Sequence, residues 1–223
     1  MQFEKIMNNG RVYNFLQKAI RTKKAYESLN NYFSQPSLAD NSKTIKVLDI
    51  GCGPGTYVPY LLDSDYLGID INKGNISLAE KKYSNFPNIK FVAEDVYEYF
   101  SKHMMLENTF DIVFMSNVLH HLSKDIIISI LPIIPKLIKK DGEFRSCDPI
   151  YTKEQSKISK WLMSHDRGKY ILGLDDYLCL IKSYFPIVEH KIETDSFRFP
   201  FPYPGIQCRG YLHGKDKIGA ALT

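Results

Sequence analysis

Short apolar runs alternate with longer amphipathic stretches between residues 45 and 148, and this alternation constrains the fold more than any other feature. The runs are almost entirely apolar, which is typical of parallel strands covered by helices on both faces. Strands are predicted at Ile45–Ile50, Leu67–Asp70, Ile89–Ala93, Asp111–Ser116, Glu143–Cys147, Ile187–Ile192 and Gln207–Leu212. An aromatic and proline-rich loop rather than a helix joins the last two, so an antiparallel final pair is expected.

Helical periodicity fills the spaces between these strands. Helices are predicted near Thr56–Leu62, Asn75–Tyr83, Asp125–Lys139, Glu154–His165 and Asp175–Tyr184, with a short one after Asp95. An amphipathic helix over residues 11–33 precedes them, followed by a linker rich in Ser, Asn and Pro. The expected fold is a doubly wound, mostly parallel seven-stranded α/β sheet with helices on both faces, an antiparallel last strand and a helical N-terminal cap.

The length of 223 residues suits a single domain, here divided into three parts. Residues 1–44 form the cap and linker, residues 45–148 the ligand-binding core, and residues 149–223 the substrate-side helices and final strand pair. The 44% hydrophobic content excludes general disorder. The net charge of +4 comes without a concentrated basic stripe, so no nucleic-acid partner is expected.

The four cysteines stand far apart, without the spacing of a metal site, so no metal is expected and a reducing compartment is favoured. The N-terminus lacks the apolar segment of a secretory signal. The most apolar stretch, residues 126–138, is too short and too interrupted to cross a bilayer. We therefore expect a cytoplasmic protein without a membrane partner; the oligomeric state stays open.

Residues 47–56 read Val-Leu-Asp-Ile-Gly-Cys-Gly-Pro-Gly-Thr and carry the strongest chemical pattern in the chain. Three glycines at alternate positions directly follow a predicted strand. Such a turn allows positive φ angles and a close approach of the backbone to a ligand, which side chains would block. Backbone N–H groups after this loop are then expected to face a crevice at the edge of the sheet.

Three acidic residues stand in or after successive predicted strands. Asp49 lies inside an apolar strand, where a carboxylate is costly unless it is paired or faces a ligand. Asp70 ends the next strand, about 20 residues beyond the glycines, where an acid can accept both hydroxyls of a ribose. Asp95 follows the third strand. Taken singly, Asp70 or Asp95 also suits a helix N-cap.

The glycine spacing favours one class of ribose-bearing ligand. Dinucleotide sites use G-x-G-x-x-G, with a pyrophosphate at the helix N-terminus, whereas this loop reads G-x-G-x-G with Thr56 in the last glycine's place. The carboxylate of Asp49 suits an ammonium or sulfonium group better than a pyrophosphate. A cationic nucleoside is therefore the favoured ligand.

The ordered motifs resemble those of class I S-adenosylmethionine-dependent methyltransferases, over residues 45–148. The motifs are D-I-G-C-G-P-G (49–55), G-I-D (68–70), A-E-D-V (93–96), F-D-I-V-F-M-S-N-V-L-H-H-L (110–122) and L-I-K-K-D-G-E (137–143). The resemblance implies S-adenosylmethionine as cofactor and S-adenosylhomocysteine as product.

The same resemblance implies roles for ten cofactor-binding residues. They are Gly51, Gly53 and Gly55 beside the methionine part, Asp49 near its amino group, Asp70 on the ribose hydroxyls, Ile71 against the adenine, Asp95 accepting from the adenine amino group, Val96 supplying a backbone N–H, and Met115 and Ser116 lining the cofactor.

His120 and His121 follow the fourth strand and are the candidate catalytic residues; alternatively, they cap the next helix or support the cofactor loop. A base is not required, because alignment alone supplies about 7–11 kcal/mol and a base typically about 10²–10⁴-fold. The candidate substrate-binding residues are Asn117, Asp148, Tyr151, Arg167 and Tyr170.

The favoured function is methyl transfer to O, N or C of a small molecule. Neither an Asp/Asn-Pro-Pro-Tyr tetrapeptide nor a Pro-Cys dipeptide occurs, which disfavours DNA methylation. A protein or peptide substrate, or a binding module without turnover, remains an alternative. A nicotinamide-dependent oxidoreductase is a more distant one.

Overall fold

The computed structural model describes residues 23–34, 44–103, 106–166, 168–194 and 203–213. The strands are β1 (Lys46–Ile50), β2 (Asp65–Ile69), β3 (Ile89–Val92), β4 (Phe110–Ser116), β5 (Ile138–Tyr151), β6 (Leu172–Gly173), β7 (Ile187–Glu193) and β8 (Gly205–Tyr211). The helices are α1 (Lys23–Ser34), α2 (Lys73–Lys82), α3 (Val96–Lys102), α4 (Lys124–Ile130), α5 (Ile134–Leu137), α6 (Lys157–Ser164) and α7 (Leu174–Lys182). Single 3₁₀ turns lie at Val58–Tyr60 and Leu119–His121.

The strands form one sheet in the order β3-β2-β1-β4-β5-β8-β7, and β6 pairs with β5 off this path. Strands β1 to β5 run parallel, whereas β8 is antiparallel to both of its neighbours. The predicted α/β sheet with a reversed last strand is confirmed. The order changes direction between β1 and β4, and open α/β sheets bind ligands at such a point, outside the carboxyl ends of the strands.

Successive side chains of β1 enter different hydrophobic clusters, as the two-residue period of a strand requires. Val47 packs with Leu29 and Tyr32 of α1 on one face of the sheet. Leu48 packs on the other face, in the cluster that contains residues of α3, α4, α5 and α7. Both faces of the central strands are therefore covered, which explains their almost uninterrupted apolar sequences.

The helix predicted at Thr56–Leu62 is wrong, because the structure has only the 3₁₀ turn Val58–Tyr60 there. Pro59 lies in that turn, and a proline in a helix interior lacks the N–H and clashes with the preceding turn. The side chains of Tyr57, Val58 and Leu61 nevertheless pack beneath α1. The glycine loop therefore leads into a short turn rather than into a regular helix.

The single helix predicted at Asp125–Lys139 is also wrong. It divides into α4 and α5, and β5 begins at Ile138. Pro132 follows α4, and Pro135 lies in the first turn of α5. Prolines are tolerated at the start of a helix but not in its interior, so they separate the two segments.

Helix α1 is the described part of the predicted N-terminal helix; residues 11–22 of that prediction lie outside the described residues. Arg145 of β5 is fully buried, binds Glu143 through its Nε atom at 2.9 Å, and also donates to the backbone carbonyl of Tyr32 near the end of α1. Arg209 of β8 donates to the same carbonyl at 3.4 Å. The two guanidinium groups thus bind the carbonyl end of α1, where the helix dipole favours positive charge.

Candidate active site

A cavity of about 520 Å³ opens at the carboxyl ends of β1, β2, β3 and β4. Its volume lies within the range of small-molecule sites. The predicted site residues that line it are Gly51, Gly53, Asp70, Ile71, Asp95, Val96, Met115, Ser116, Asn117 and His121. The structure thus brings ten residues, in or directly after four separate motifs, to one crevice.

The glycine loop adopts the backbone conformation that its sequence predicts. Gly51, Gly53 and Gly55 have φ angles of 75°, 53° and 72°, in the left-handed region that glycine enters without a steric penalty. A Cβ atom on Gly51 would lie 2.5 Å from Val118, and one on Gly55 would lie 2.7 Å from Tyr83. A Cβ on Gly53 would meet nothing within 4 Å. Gly53 is therefore the glycine beside which space remains for a ligand.

Asp70 follows β2 and holds the glycine loop in place. Its Oδ2 accepts a hydrogen bond from the N–H of Gly53 at 2.8 Å, and its Oδ1 accepts from the N–H of Asn72 at 2.7 Å. A carboxylate has about four acceptor positions, so each oxygen retains capacity for a ligand hydroxyl. The neighbouring Ile71 is 73% exposed and lies on the cavity wall, an unusual exposure for an apolar side chain of this size.

Asp95 serves as a helix cap and also lies on the cavity wall. Its Oδ1 accepts from the N–H groups of Tyr97 and Glu98 at 2.9 and 3.2 Å, which caps α3. The side chain and the adjacent Val96 also line the cavity. The capping and ligand-binding interpretations are therefore compatible in this structure.

Asp49 lies within β1 and does not line the cavity. It is 1% exposed, and the hydroxyl of Tyr66 donates to its Oδ2 at 2.5 Å. Burial raises the pKa of Asp49 to about 8, and the negative charge of Asp70 contributes, while the hydrogen bond from Tyr66 opposes the shift. Asp49 is therefore a buried group paired with Tyr66, separated from the crevice.

Asn117 turns the chain away from β4 at the cavity wall. Its φ angle is +57°, a conformation that asparagine adopts more readily than most residues. Its Nδ2 donates to the hydroxyl oxygen of Tyr57 at 2.9 Å, and its backbone N–H donates to the carbonyl of Cys147 at 2.7 Å. These contacts fix both the backbone and the side chain of Asn117 beside the cavity.

The two candidate catalytic histidines occupy different environments. His121 lines the cavity, whereas His120 is 5% exposed and does not line it. His120 Nδ1 lies 2.7 Å from Oδ1 of Asp148, and an ionised carboxylate there requires a proton on Nδ1. The two rings are 4.1 Å apart between centroids.

The segment after α6 covers the other side of His120. The N–H of Tyr170 donates to the His120 carbonyl at 3.0 Å, and a Cβ on Gly168 would lie 1.8 Å from the His120 ring. Asp166 lies 3.9 Å from His120 Nε2 and accepts a hydrogen bond from the hydroxyl of Tyr203 at 2.5 Å. His120 is thus enclosed by packing.

The remaining candidate substrate-binding residues do not line this cavity. Asp148 is 1% exposed and contacts His120, with Tyr177 donating to its second oxygen at 3.1 Å. Tyr151 ends β5 and is half-buried, and the side chain of Tyr170 is exposed. Arg167 lies outside the described residues. Apart from Asn117, no described residue of this set contributes to the crevice.

Several lining residues were missed by the sequence analysis. They are Ile50, Cys52, Pro54, Thr56, Tyr57, Ile69, Asn72, Asn75, Glu94, Val118, Leu122, Ile126 and Ile130. Leu122, Ile126 and Ile130 recur every four residues, so helical periodicity could have identified them. Tyr57 carries no such pattern, because its role depends on contact with Asn117, 60 residues away in the chain.

Two further observations on the described residues concern metal ions and membranes. No group of three or more His, Cys, Asp or Glu side chains within the described ranges is arranged to hold a metal ion. None of the helices in that part of the chain combines the length and apolar character needed to cross a bilayer.

Comparison with known proteins identifies the family. A family model described as a methyltransferase domain matches residues 41–190. The chain belongs to this methyltransferase domain family. The enzyme class predicted from the ordered motifs is therefore confirmed.

Solved structures support the fold. The CurJ carbon methyltransferase superposes with a TM-score of 0.68 at 15% identity, covering 91% of this chain and 58% of that chain. A SAM-dependent methyltransferase from Archaeoglobus fulgidus gives a TM-score of 0.66 at 18% identity, covering 94% and 99%. These comparisons agree with the fold that the sequence predicts.

A curated relative is the highly reducing polyketide synthase pspA of Penicillium soppii. It is 25% identical over 180 residues, which is 76% of this chain but 6% of the synthase. The chain spans only 4 to 6% of the length of the curated relatives that it matches.

Proposed function

We propose that this chain transfers a methyl group from S-adenosylmethionine to a small-molecule acceptor. The observation that carries the proposal is the arrangement of Gly53 and Asp70 in the cavity. Gly53 leaves open space beside the loop, and Asp70, held by the Gly53 N–H, lies on the same wall. A close backbone and a ribose-binding carboxylate are what a nucleoside cofactor requires.

The lining residues fit the separate parts of this cofactor. Asp70 would accept from the ribose hydroxyls, and the exposed Ile71 would pack on the adenine. Asp95 keeps Oδ2 available, since its capping bonds use Oδ1, and would accept from the adenine amino group beside the Val96 backbone. Gly51 and Gly53 would let the backbone approach the methionine part, and Met115 and Ser116 line the same cavity. Gly55, which was expected to share this role, does not line the cavity.

When bound, the cofactor supplies an electrophilic methyl group on a sulfonium. The contribution of the chain is alignment: holding the acceptor atom in line can lower the barrier by about 7–11 kcal/mol. Val118, Leu122 and Ile126 form a predominantly apolar part of the cavity wall. This part of the wall would exclude water from the space beside it. Protein groups beside the acceptor need only take up a proton that the acceptor loses.

His121 is the histidine placed to exchange a proton with an acceptor, because it lines the cavity. His120 is enclosed, and we assign it the role of supporting His121 through ring contact, with Asp148 fixing its orientation. A base at His121 would matter if the acceptor loses a proton, and such a base typically contributes about 10²–10⁴-fold.

The acceptor is proposed to be a small molecule methylated at O, N or C. The likeness to polyketide synthases and to the CurJ carbon methyltransferase favours carbon among the three. Asn117, Asp148, Tyr151, Arg167 and Tyr170 stay candidates for binding it. The four free cysteines support a reducing compartment such as the cytoplasm.

Transfer of labelled methyl tests the proposal. Purified chain, labelled S-adenosylmethionine and a metabolite extract should yield a labelled small molecule. Asp70→Ala should abolish the label, whereas Asp63→Ala, at an exposed aspartate outside the cavity, should retain it. Label found only in protein would favour a peptide acceptor instead. No label in either fraction, despite cofactor binding, would indicate a module without turnover.

A further inference from the structure

Asp49 was expected to lie near the amino group of the cofactor, but it is buried and hydrogen-bonded to Tyr66, and it does not line the cavity. The carboxylates that do line the cavity, Asp70, Glu94 and Asp95, follow β2 and β3. The end of the cavity nearest the glycine loop and β4 therefore lacks a carboxylate on its wall among the described residues. An ammonium group bound there would use an acceptor other than a side-chain carboxylate.

Asn117 has the required atom. Its Nδ2 is engaged by Tyr57 and lies 3.4 Å from Ser116 Oγ, whereas no described residue donates to its Oδ1. The amide is held in place because the left-handed backbone and the Tyr57 contact act together. This Oδ1, to which no described residue donates, belongs to a half-buried residue on the cavity wall, where a bound ligand can donate to it.

Tyr57 is positioned to orient this amide. It is 5% exposed, and its ring packs edge-on against Phe114 at 6.0 Å between centroids. Its hydroxyl oxygen therefore occupies a fixed position. In the structure the amide nitrogen of Asn117 donates to that oxygen, so the amide presents its own oxygen in a different direction.

We propose that Asn117 Oδ1 accepts a hydrogen bond from the ammonium group of the cofactor, and that Tyr57 positions Asn117 for this contact. Asn117, rather than Asp49, then recognises the amino-acid end. The inference rests on the proposed function. It assigns a role to Tyr57 that the sequence did not indicate. It also makes the cofactor, rather than the methyl-accepting substrate, the partner of Asn117.

The affinities of two nucleosides distinguish this contact from the other contacts of the site. S-adenosylhomocysteine carries the amino-acid end, whereas 5′-methylthioadenosine lacks it and keeps the ribose and adenine. Asn117→Gly removes the amide and tolerates the positive φ angle. By calorimetry it should weaken S-adenosylhomocysteine binding about tenfold to hundredfold, as expected for a lost hydrogen bond to a charged group, and leave methylthioadenosine binding unchanged.

Tyr57→Phe keeps the ring and removes the hydroxyl. It should weaken S-adenosylhomocysteine about twofold to tenfold, with no further loss when added to Asn117→Gly, because it acts through the same group. Asn117→Asp retains an acceptor oxygen and should keep most of the affinity. Asp49→Asn should leave the ratio of the two affinities unchanged.

Other results would overturn the inference. Equal losses for both nucleosides in Asn117→Gly would indicate general damage to the site. A ratio changed by Asp49→Asn alone would return the role to Asp49. If Asn117→Gly left S-adenosylhomocysteine binding unchanged but raised the KM for the methyl-accepting substrate, Asn117 would be assigned to binding that substrate. If neither nucleoside binds the unaltered chain, the proposed function itself fails, and this inference fails with it.

Discussion

The backbone N–H of Gly53 donates a hydrogen bond to Oδ2 of Asp70 across 2.8 Å, joining the loop after β1 to the residue after β2. The other oxygen of Asp70 accepts from Asn72. One carboxylate therefore fixes the glycine loop and the entry to α2 while facing the cavity. Its removal should disturb both the loop and the proposed ribose contact.

We expect Asp70→Ala to weaken S-adenosylhomocysteine binding by at least about tenfold, because charge-assisted hydrogen bonds each contribute about 1.5–3 kcal/mol. Isothermal titration calorimetry measures this loss, with the exposed Asp63→Ala as the matched control. Unchanged affinity in Asp70→Ala would refute the proposed role.

The three loop glycines should respond differently to alanine. All three share the cost of a left-handed side chain, about 1–2 kcal/mol. Gly51→Ala and Gly55→Ala add collisions with Val118 and Tyr83, worth about 1–3 kcal/mol more. Gly53→Ala adds none, but its methyl group occupies ligand space.

Thermal denaturation should therefore show the smallest drop in Tm for Gly53→Ala, while calorimetry shows a severe loss of S-adenosylhomocysteine binding in the same variant. Normal binding by Gly53→Ala would place the ligand elsewhere.

Asp49 should make stability depend on pH. Its pKa is about 8 in the folded chain and about 3.9 when unfolded. Between these values the folded state keeps a proton that the unfolded state has released. The contribution of this proton to stability is complete below about pH 4 and falls as the pH rises towards about 8.

Asp49→Asn removes this titration and keeps an oxygen for the Tyr66 hydroxyl. The difference in unfolding free energy between the unaltered chain and the variant, measured with urea at several pH values, should change steadily from about pH 4 to about pH 8. A constant difference would mean that Asp49 is ionised throughout that range.

Alanine substitutions of the two histidines should affect different quantities, turnover for His121 and stability for His120. His121→Ala should lower kcat, by up to about 10²–10⁴-fold if the acceptor loses a proton, and change S-adenosylhomocysteine affinity little. His120→Ala should lower the free energy of unfolding by about 1–3 kcal/mol, because it leaves the buried Asp148 without one partner. Parallel losses of turnover and affinity in His121→Ala would instead indicate structural support.

The strands could be predicted because each apolar run directly encodes burial on both faces, as the opposite clusters of Val47 and Leu48 illustrate. The helix predicted at Thr56–Leu62 failed because Pro59 overrides the apolar spacing around it. Gly51, Gly53, Asp70 and Asp95 could be assigned to the crevice because strand ends share one edge of a parallel sheet.

The environments of Asp49 and His120 could not be predicted. Both depend on partners distant in the chain: Tyr66 hydrogen-bonds to Asp49, and Asp148 together with Gly168 encloses His120. Local sequence patterns carry no information about such contacts. The same reason kept Tyr57 out of the predicted site.

A crystal structure of the chain with S-adenosylhomocysteine tests the central claim most directly. The account predicts electron density in the cavity, with the ribose hydroxyls on Asp70, the adenine against Ile71 and the amino group on Asn117. An empty cavity at saturating ligand, or a nucleoside bound away from Asp70 and the glycine loop, would contradict it.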